Sequence, residues 1–464
     1  MPLRHLIAPR ACGLIALAAS VLLLGGSAVS APPARQSVAV APAAAALPST
    51  IGVRADGAAD LDRIAAYAAS KGYRVIQRFD DGLPSLQLSP PPGVGSDRAF
   101  ADFGGFPGVS YVEPAYPVRR LDIPLEPLWT KEAPYLTLEH APQAWDVEKG
   151  TPNIIVAVVD TGVDITHPDL QGRIWTNPRE VAGNGIDDDQ DGCIDDVHGC
   201  AYVSDPATGC APALNGAIGD DLGHGTFVSG IIGAGGNGQG MVGVARGVTL
   251  MPVKVLDCQG GGNVVEVAAG IVYAAREGAK VINVSLGGAV DSEFLREAVR
   301  IAQEQYGVLI VAASGNTGGE GVSYPARYPG VLAVGAASAL DPSKRASFST
   351  VGPEIGVVAI GEDILGTVPK SLCNVFLPCI NGTPYAVGKG TSFAAPQVAG
   401  LAALILSEHP DAKPAAVVSA IESTAVPLPP GDHSDWAGHG RIDMVAAINA
   451  VVGFRIGVPG VTKN

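Results

Sequence analysis

Hydrophobic positions follow two rhythms along this chain. Between residues 49 and 116, short apolar runs and amphipathic stretches read as strand 50–54, helix 61–69, strand 73–79, strand 85–89, helix 97–103 and strand 110–114. That order predicts a small ferredoxin-like α+β unit. Further on, solid apolar runs at 154–160, 249–256, 280–285, 308–313, 331–336 and 355–360 read as buried strands. Helical periodicity falls between and after them, at 225–233, 264–277, 293–305, 392–407, 415–424 and 443–451. Strands apolar throughout and alternating with helices predict an α/β fold, a doubly wound parallel sheet covered on both faces. The stretch 392–407 is apolar nearly all round and is expected inside the core, with Ser392 at its mouth. In such sheets reactive groups gather beyond the carboxyl ends of strands, where Asp160, Ser285 and the loop after Ala313 fall.

The beginning of the chain has a different character. Arg4 and Arg10 precede an uncharged run, and small residues follow over 25–31. This is the layout of a secretory signal peptide spanning 1–31; the alternative, an uncleaved anchor, has a core short for a membrane span. Residues 32–48 form an Ala/Pro-rich spacer. Six of the seven cysteines (Cys193, Cys200, Cys210, Cys258, Cys373 and Cys379) lie beyond the signal. In an exported chain an even set predicts disulfides; six cysteines allow 15 pairings, with Cys373–Cys379 the favoured local one. No C-x-x-C spacing favours a metal-thiolate site. The net charge of −15 argues against nucleic acid or an anionic membrane as partner.

Three short sentences carry chemistry. The strand at 154–160 ends in Asp160-Thr161-Gly162-Val163; Gly223-His224-Gly225-Thr226 opens an apolar helix; Gly390-Thr391-Ser392-Phe393-Ala394-Ala395-Pro396 opens another. Each has an ordinary reading: a turn aspartate, a structural histidine, a helix-capping serine. Together, in this order, they resemble the three signature motifs of the subtilisin-like serine peptidases, and the end of the first unit, Pro107 to Pro114, resembles the end of that family's inhibitory propeptide. The resemblance implies a triad of Asp160, His224 and Ser392, because a serine hydroxyl is a weak nucleophile until an oriented imidazole takes its proton. It implies Asn316 as oxyanion donor with the Ser392 N–H, and substrate contacts at Ser285, Leu286, Gly287, Ala313, Ser314, Gly315 and Ser323. No carboxylate stands among the pocket residues, so an apolar, broad preference before the cut is expected. Three positions depart from the family's usual sentences: Phe227, Phe393 and Gln397, where His, Met and His are common. Phe393 is expected to crowd the leaving-group side.

His224 lies 64 positions after Asp160, about twice the spacing in compact family members, so something is inserted. Its centre holds Asp187, Asp189 and Asp191 with Gly192, in the D-x-D-x-D-G order of calcium loops; the usual closing glutamate is missing, leaving Asp195 or Asp196 to close it, and a solvated acidic turn is the alternative. By resemblance alone, Asp169 and Asn237 form a second calcium pair. The glycine run 233–243 follows a helix and precedes a strand, the reverse of a dinucleotide-binding loop. The expected organisation is therefore signal 1–31, spacer 32–48, inhibitory propeptide 49–120 cut near 116–125, peptidase 121–455 and tail 456–464. The expected function is a secreted serine endopeptidase acting on protein or peptide substrates, held as a zymogen by its own propeptide, with no stable membrane anchor after signal cleavage. The alternative is a catalytically silent binding or scaffold protein on the same fold.

Overall fold

A computed structural model of the chain describes residues 50–94, 96–115, 123–431 and 433–451. The expected signal peptide, spacer and tail, and the first part of the expected maturation segment, lie outside these residues. The first unit runs β1 (Ile51–Ala55), α1 (Leu61–Ser70), β2 (Arg74–Phe79), β3 (Ser85–Ser89), α2 (Ser96–Phe103) and β4 (Val109–Pro114). Its antiparallel sheet has the order β2-β3-β1-β4. Alternate residues of β1 and β3 (Ile51, Val53, Ala55, Leu86, Leu88) turn to one face and meet Leu61, Ile64, Ala68 and Phe103 in a core of their own.

The larger unit continues with α3 (Trp129–Leu138), α4 (Ala141–Trp145), β5 (Ile155–Asp160), β6 (Cys200–Val203), β7 (Ala213–Asn215), α5 (His224–Gly233), β8 (Thr249–Lys254), α6 (Val264–Arg276) and β9 (Val281–Val284). Then come α7 (Glu293–Glu304), β10 (Leu309–Ala313), β11 (Leu332–Ala337), β12 (Ile355–Ile360), β13 (Ile364–Thr367), β14 (Tyr385–Gly388), α8 (Thr391–Glu408), α9 (Pro414–Thr424) and α10 (Met444–Ala450). Eight strands pair in the order β12-β11-β10-β9-β5-β8-β6-β7. The first strand of the sheet, β5, lies between β9 and β8, so the chain winds outward from it in both directions and leaves a crevice at its carboxyl end. Helix α8 packs on β5 and on β9 to β12, with α5 against it, while α6 packs on β5, β6, β8 and β9 beside α7.

The sequence pattern suggested a parallel sheet, and one edge departs from it. β7 runs antiparallel to β6, with Tyr202 opposite Leu214. The connection over 204–212 is too short for the crossover that parallel pairing needs. The elements α3, α4, β6, β7, β13 and β14 were not legible in the pattern; the four strands are short, and Pro134 inside α3 argues locally against a helix.

The helix α8 is buried as its composition dictates. Every residue from Thr391 to Leu406 is buried except Ser392. The one partly exposed side chain in that stretch is thus the hydroxyl at its head.

Candidate active site

The carboxyl end of β5 and the heads of α5 and α8 meet at the crevice. Glycines permit the approach: a Cβ on Gly225 would lie 2.1 Å from Gly162 O, and Gly162 itself has φ +98°. Asp160 is fully buried, and its Oδ1 accepts from His224 Nδ1 at 2.7 Å and from Thr161 N at 2.8 Å. Burial pushes the His224 imidazole down, but the charge and hydrogen bond of Asp160, with Asp220 behind it, outweigh this and leave its pKa above the ordinary value.

Asp220, which the sequence reading did not single out, fastens the two motifs together. Its Oδ1 accepts from Thr161 Oγ1 at 2.8 Å and Gly223 N at 2.7 Å, and its Oδ2 from Thr226 N at 2.9 Å and Oγ1 at 2.6 Å. The carboxylate lies four residues before His224, ahead of an apolar helix. That position suits the positive end of α5 and was the available signal.

Ser392 Oγ donates to Ser285 O at 3.0 Å, so in this state its proton is directed at the β9 edge and not at His224. Ser285 Oγ in turn donates to Ser392 O at 2.8 Å. Pro396 explains why that carbonyl is free: four residues on, it has no N–H to close the helical bond. Asn316 faces the same point. Its Oδ1 accepts from Thr391 N and Thr391 Oγ1, both at 2.9 Å, which fixes the flip of the carboxamide and turns Nδ2 away from Thr391. Nothing in the motif itself marks Thr391 for this task.

A cleft of about 660 Å³ opens beside Ser392 and His224. Its lining includes the candidate contacts Ser285, Leu286, Gly287, Ala313, Gly315 and Ser323 together with Asn316, and adds Leu256, Gly260 to Val264, Val267 and Tyr324. No Asp or Glu is among the lining residues described. Ser314 is corrected: it is fully buried beneath the wall, bonded through its backbone to Val334 and Ser323. Gly288 already pairs with Tyr324 through both backbone groups, so the edge free to meet a peptide starts before it.

The residues expected to hold cations are only partly brought together. Asp187 and Asp189 meet Glu180, and Asp189 and Asp191 meet Glu277. The second group is already served by arginine: Arg179 pairs with Asp189 at 2.9 Å and with Glu277, and Arg276 with Asp191 at 2.9 Å. In the first, Asp189 Oδ1 and Glu180 Oε2 are buried with no partner, as suits a calcium ligand set. Asp195 is elsewhere; its carboxylate takes the N–H groups of Gly183, Asn184 and Gly185. Asp196 is likewise occupied, by Asn177 and Tyr273. Around the loop 235–241, Asp169 Oδ2 accepts from Met241 N and Glu126 Oε1 from Gly238 N, while Asp169 Oδ1 and Glu126 Oε2 are buried and unpartnered. Asn237 spends its carboxamide locally, on Pro168 O and Gln239 N. Three disulfides, Cys193–Cys200, Cys210–Cys258 and Cys373–Cys379, use all six described cysteines.

A doubly wound sheet with aspartate, histidine and serine gathered at its switch point defines the subtilisin-like class of α/β proteins. The profile of the subtilase family, peptidase S8, matches residues 151–441, and the chain belongs to that family. Fervidolysin of Fervidobacterium pennivorans is 36% identical over 344 residues, which are 71% of this chain and 45% of that protein. Subtilisin NAT of Bacillus subtilis subsp. natto is 38% identical over 299 residues, 64% of this chain and 65% of that one. Thermitase of Thermoactinomyces vulgaris is 37% identical over 309 residues, covering 66% and 92%. The chain thus spans under half of fervidolysin and slightly less than two thirds of subtilisin NAT. The crystal structure of fervidolysin, a keratinolytic enzyme related to subtilisin, superposes with a TM-score of 0.56 over 86% of this chain and 60% of that one, at 29% identity.

Proposed function

We propose that this chain is an exported serine endopeptidase, made as a self-processing zymogen, that cleaves protein and peptide chains through an acyl-enzyme. The reading is carried by the convergence at one cleft of Ser392, the Asp160–His224 pair and an Asn316 amide whose orientation Thr391 fixes. A swing of Ser392 Oγ from Ser285 O toward the imidazole starts the reaction. Oγ attacks the peptide carbonyl as His224 takes its proton; the oxyanion receives Asn316 Nδ2 and the Ser392 N–H. The C–N bond breaks when His224 passes the proton to the leaving amine, and water repeats the sequence to free the acid. Asp160 holds the imidazole by Nδ1 and stabilises its charged form. The carboxylate-free cleft suits apolar residues before the cut.

Residues 1–31 serve as signal peptide, 49–120 as an inhibitory propeptide removed near 116–125, and 121–455 as the peptidase, released to the periplasm or outside the cell. Glu180, Asp187 and Asp189 would hold one calcium ion, and Glu126, Asp169 and the loop around Asn237 another. When bound, calcium neutralises buried carboxylates that otherwise repel one another. The test is to express the whole chain beside a Ser392→Ala version and follow intact mass. The unaltered chain is expected to lose its N-terminal segment up to a point within 116–125, while the variant keeps it. A folded chain that neither shortens nor takes a fluorophosphonate label supports the silent scaffold instead.

A further inference from the structure

The cleft accounts for one flank of the Ser392–His224 pair. On the other flank lies a group of apolar side chains that the mechanism above does not use. Phe376 meets the His224 ring edge-on, with centroids 5.8 Å apart and planes at 85°. Phe393 lies tilted at 5.6 Å from the same imidazole. Phe227 stacks on Phe393 at 4.2 Å, so two of the positions that depart from the family's usual residues form one stack behind the histidine. None of Phe376, Leu377 or Phe393 lines the cleft that holds Ser323 and the glycine edges.

Phe376 belongs to a segment built to hold it there. Cys373 and Cys379 close the loop, Asn374 N donates to Leu377 O at 3.0 Å, and Cys379 N donates to Asn374 Oδ1 at 3.3 Å. Asn374 adopts φ 65°, a left-handed conformation that asparagine tolerates better than most residues. At its base the loop bridges Cys379 to Ala386 on β14. At its far side the first atoms of the Phe376 side chain cover Gly223, where an added Cβ would meet Phe376 Cβ at 3.2 Å. Phe227 and Phe393 are buried, whereas Phe376 keeps part of its surface exposed and Val375 is 69% exposed. An aromatic face so placed, next to the group that delivers a proton to the leaving amine, stands where the departing half of the substrate must lie.

Resting on the serine peptidase reading, we infer that the Cys373–Cys379 loop is a specificity element for the residue after the scissile bond. Its Phe376 ring, set edge-on to Phe227 with centroids 6.3 Å apart, receives an apolar or aromatic side chain there. The same site must then govern the reverse of acylation. In that step an amine nitrogen attacks the carbonyl carbon of the acyl–Ser392 ester and His224 takes a proton from the nitrogen. The new C–N bond forms, the C–Oγ bond breaks, and the proton passes from His224 to Oγ.

The whole chain, as it emerges from expression, is given an N-acyl phenylalanine methyl ester in the presence of glycinamide, leucinamide or phenylalaninamide. The amide product is measured against the hydrolysed acid. This ratio is internal to one acyl-enzyme, so the fraction of active protein cancels. The unaltered chain should transfer the acyl group to leucinamide and phenylalaninamide at least about fivefold better than to glycinamide, in the range that one aromatic contact supplies. Phe376→Ala should reduce that preference to within about twofold of unity, and Cys373→Ser with Cys379→Ser should move it the same way. An unaltered chain without preference, or a Phe376→Ala chain that keeps it while only its pH profile shifts, overturns the assignment and leaves Phe376 as mere shelter for His224. Absence of any ester turnover by the unaltered chain sinks the peptidase reading and this one together.

Discussion

Thr391 holds the candidate oxyanion donor in place. Both its N–H and its hydroxyl hold Asn316 Oδ1, so the carboxamide cannot flip without losing both bonds. Thr391→Val keeps shape and backbone bond but removes the hydroxyl; turnover should fall about tenfold with KM little changed, and Thr391→Ser should restore most of it, as steady-state kinetics on a peptide anilide would show. Losing the Asn316 amide outright is a larger matter, about 10²–10³, a magnitude established on subtilisin itself and carried over here. His224 sets the pH dependence. Only the neutral imidazole accepts the Ser392 proton, and its pKa lies above the usual 6.5, so kcat/KM should rise with an acid limb displaced above that value. Its contribution to stability has the opposite sense: full below about 6.5, lost as pH climbs through the folded value. On the proposed function, activity is therefore expected where this pair no longer stabilises the fold. The candidate triad residues and Asn316 could be singled out in the sequence because each sits in a contiguous sentence. Asp220 and Thr391 were not, since their tasks lie in partners 59 and 75 positions away.

Among the elements, α8 and the insertion before α5 represent opposite cases. The apolar circumference of α8 announced a buried helix, and truncating the fully buried Leu404 to Ala should cost about 2–5 kcal/mol by calorimetry. The insertion announced only acids and cysteines. Its alternating Asp187, Asp189 and Asp191 were readable as a loop, but which of them face one another depends on Glu180 and Glu277 and on two arginines. Periodicity carries no signal for such pairings, and β6 and β7 are too short to register as strands. Burial, ahead of its other influences, pushes Asp191 up to about 6 even with Arg276 beside it, a sign of how crowded the acids are. Removing calcium with a chelator should lower the melting temperature. Asp189→Asn should begin lower and lose less on chelation; an equal chelator effect in both would place the cation elsewhere.

Across the whole molecule, distant segments are tied through buried polar groups that no local pattern reveals. Glu139 follows α3; its backbone O accepts from Met444 N at the head of α10, and its Oε1 from Ile360 N at the end of β12. Burial pushes its carboxyl up to about 8, against the pull of the Ile360 N–H and of Arg441. Stability from the neutral form is full below the usual 4.5 and is lost as pH rises through about 8. Glu139→Gln should thus gain on the parent chain as pH goes from about 5 to 9; a constant difference in melting temperature would mean that the carboxyl does not titrate in the fold. The layer order of the sheet was readable from alternating strands and helices, whereas the edge reversal at β7 was not, because it depends on the length of one connection.

The replacement of a sulfur-bearing neighbour by Phe393 extends beyond the active site. Of the four methionines, Met1 lies outside the described residues, and Met241, Met251 and Met444 are fully buried. The six described cysteines are all spent in disulfides. Among the described residues, then, no thioether or thiol is within reach of a dissolved oxidant, and the side chain next to Ser392 is one that peroxide leaves alone. Activity after incubation in dilute hydrogen peroxide should stay within about twofold of the untreated sample, whereas Phe393→Met should render the same protein bleach-sensitive.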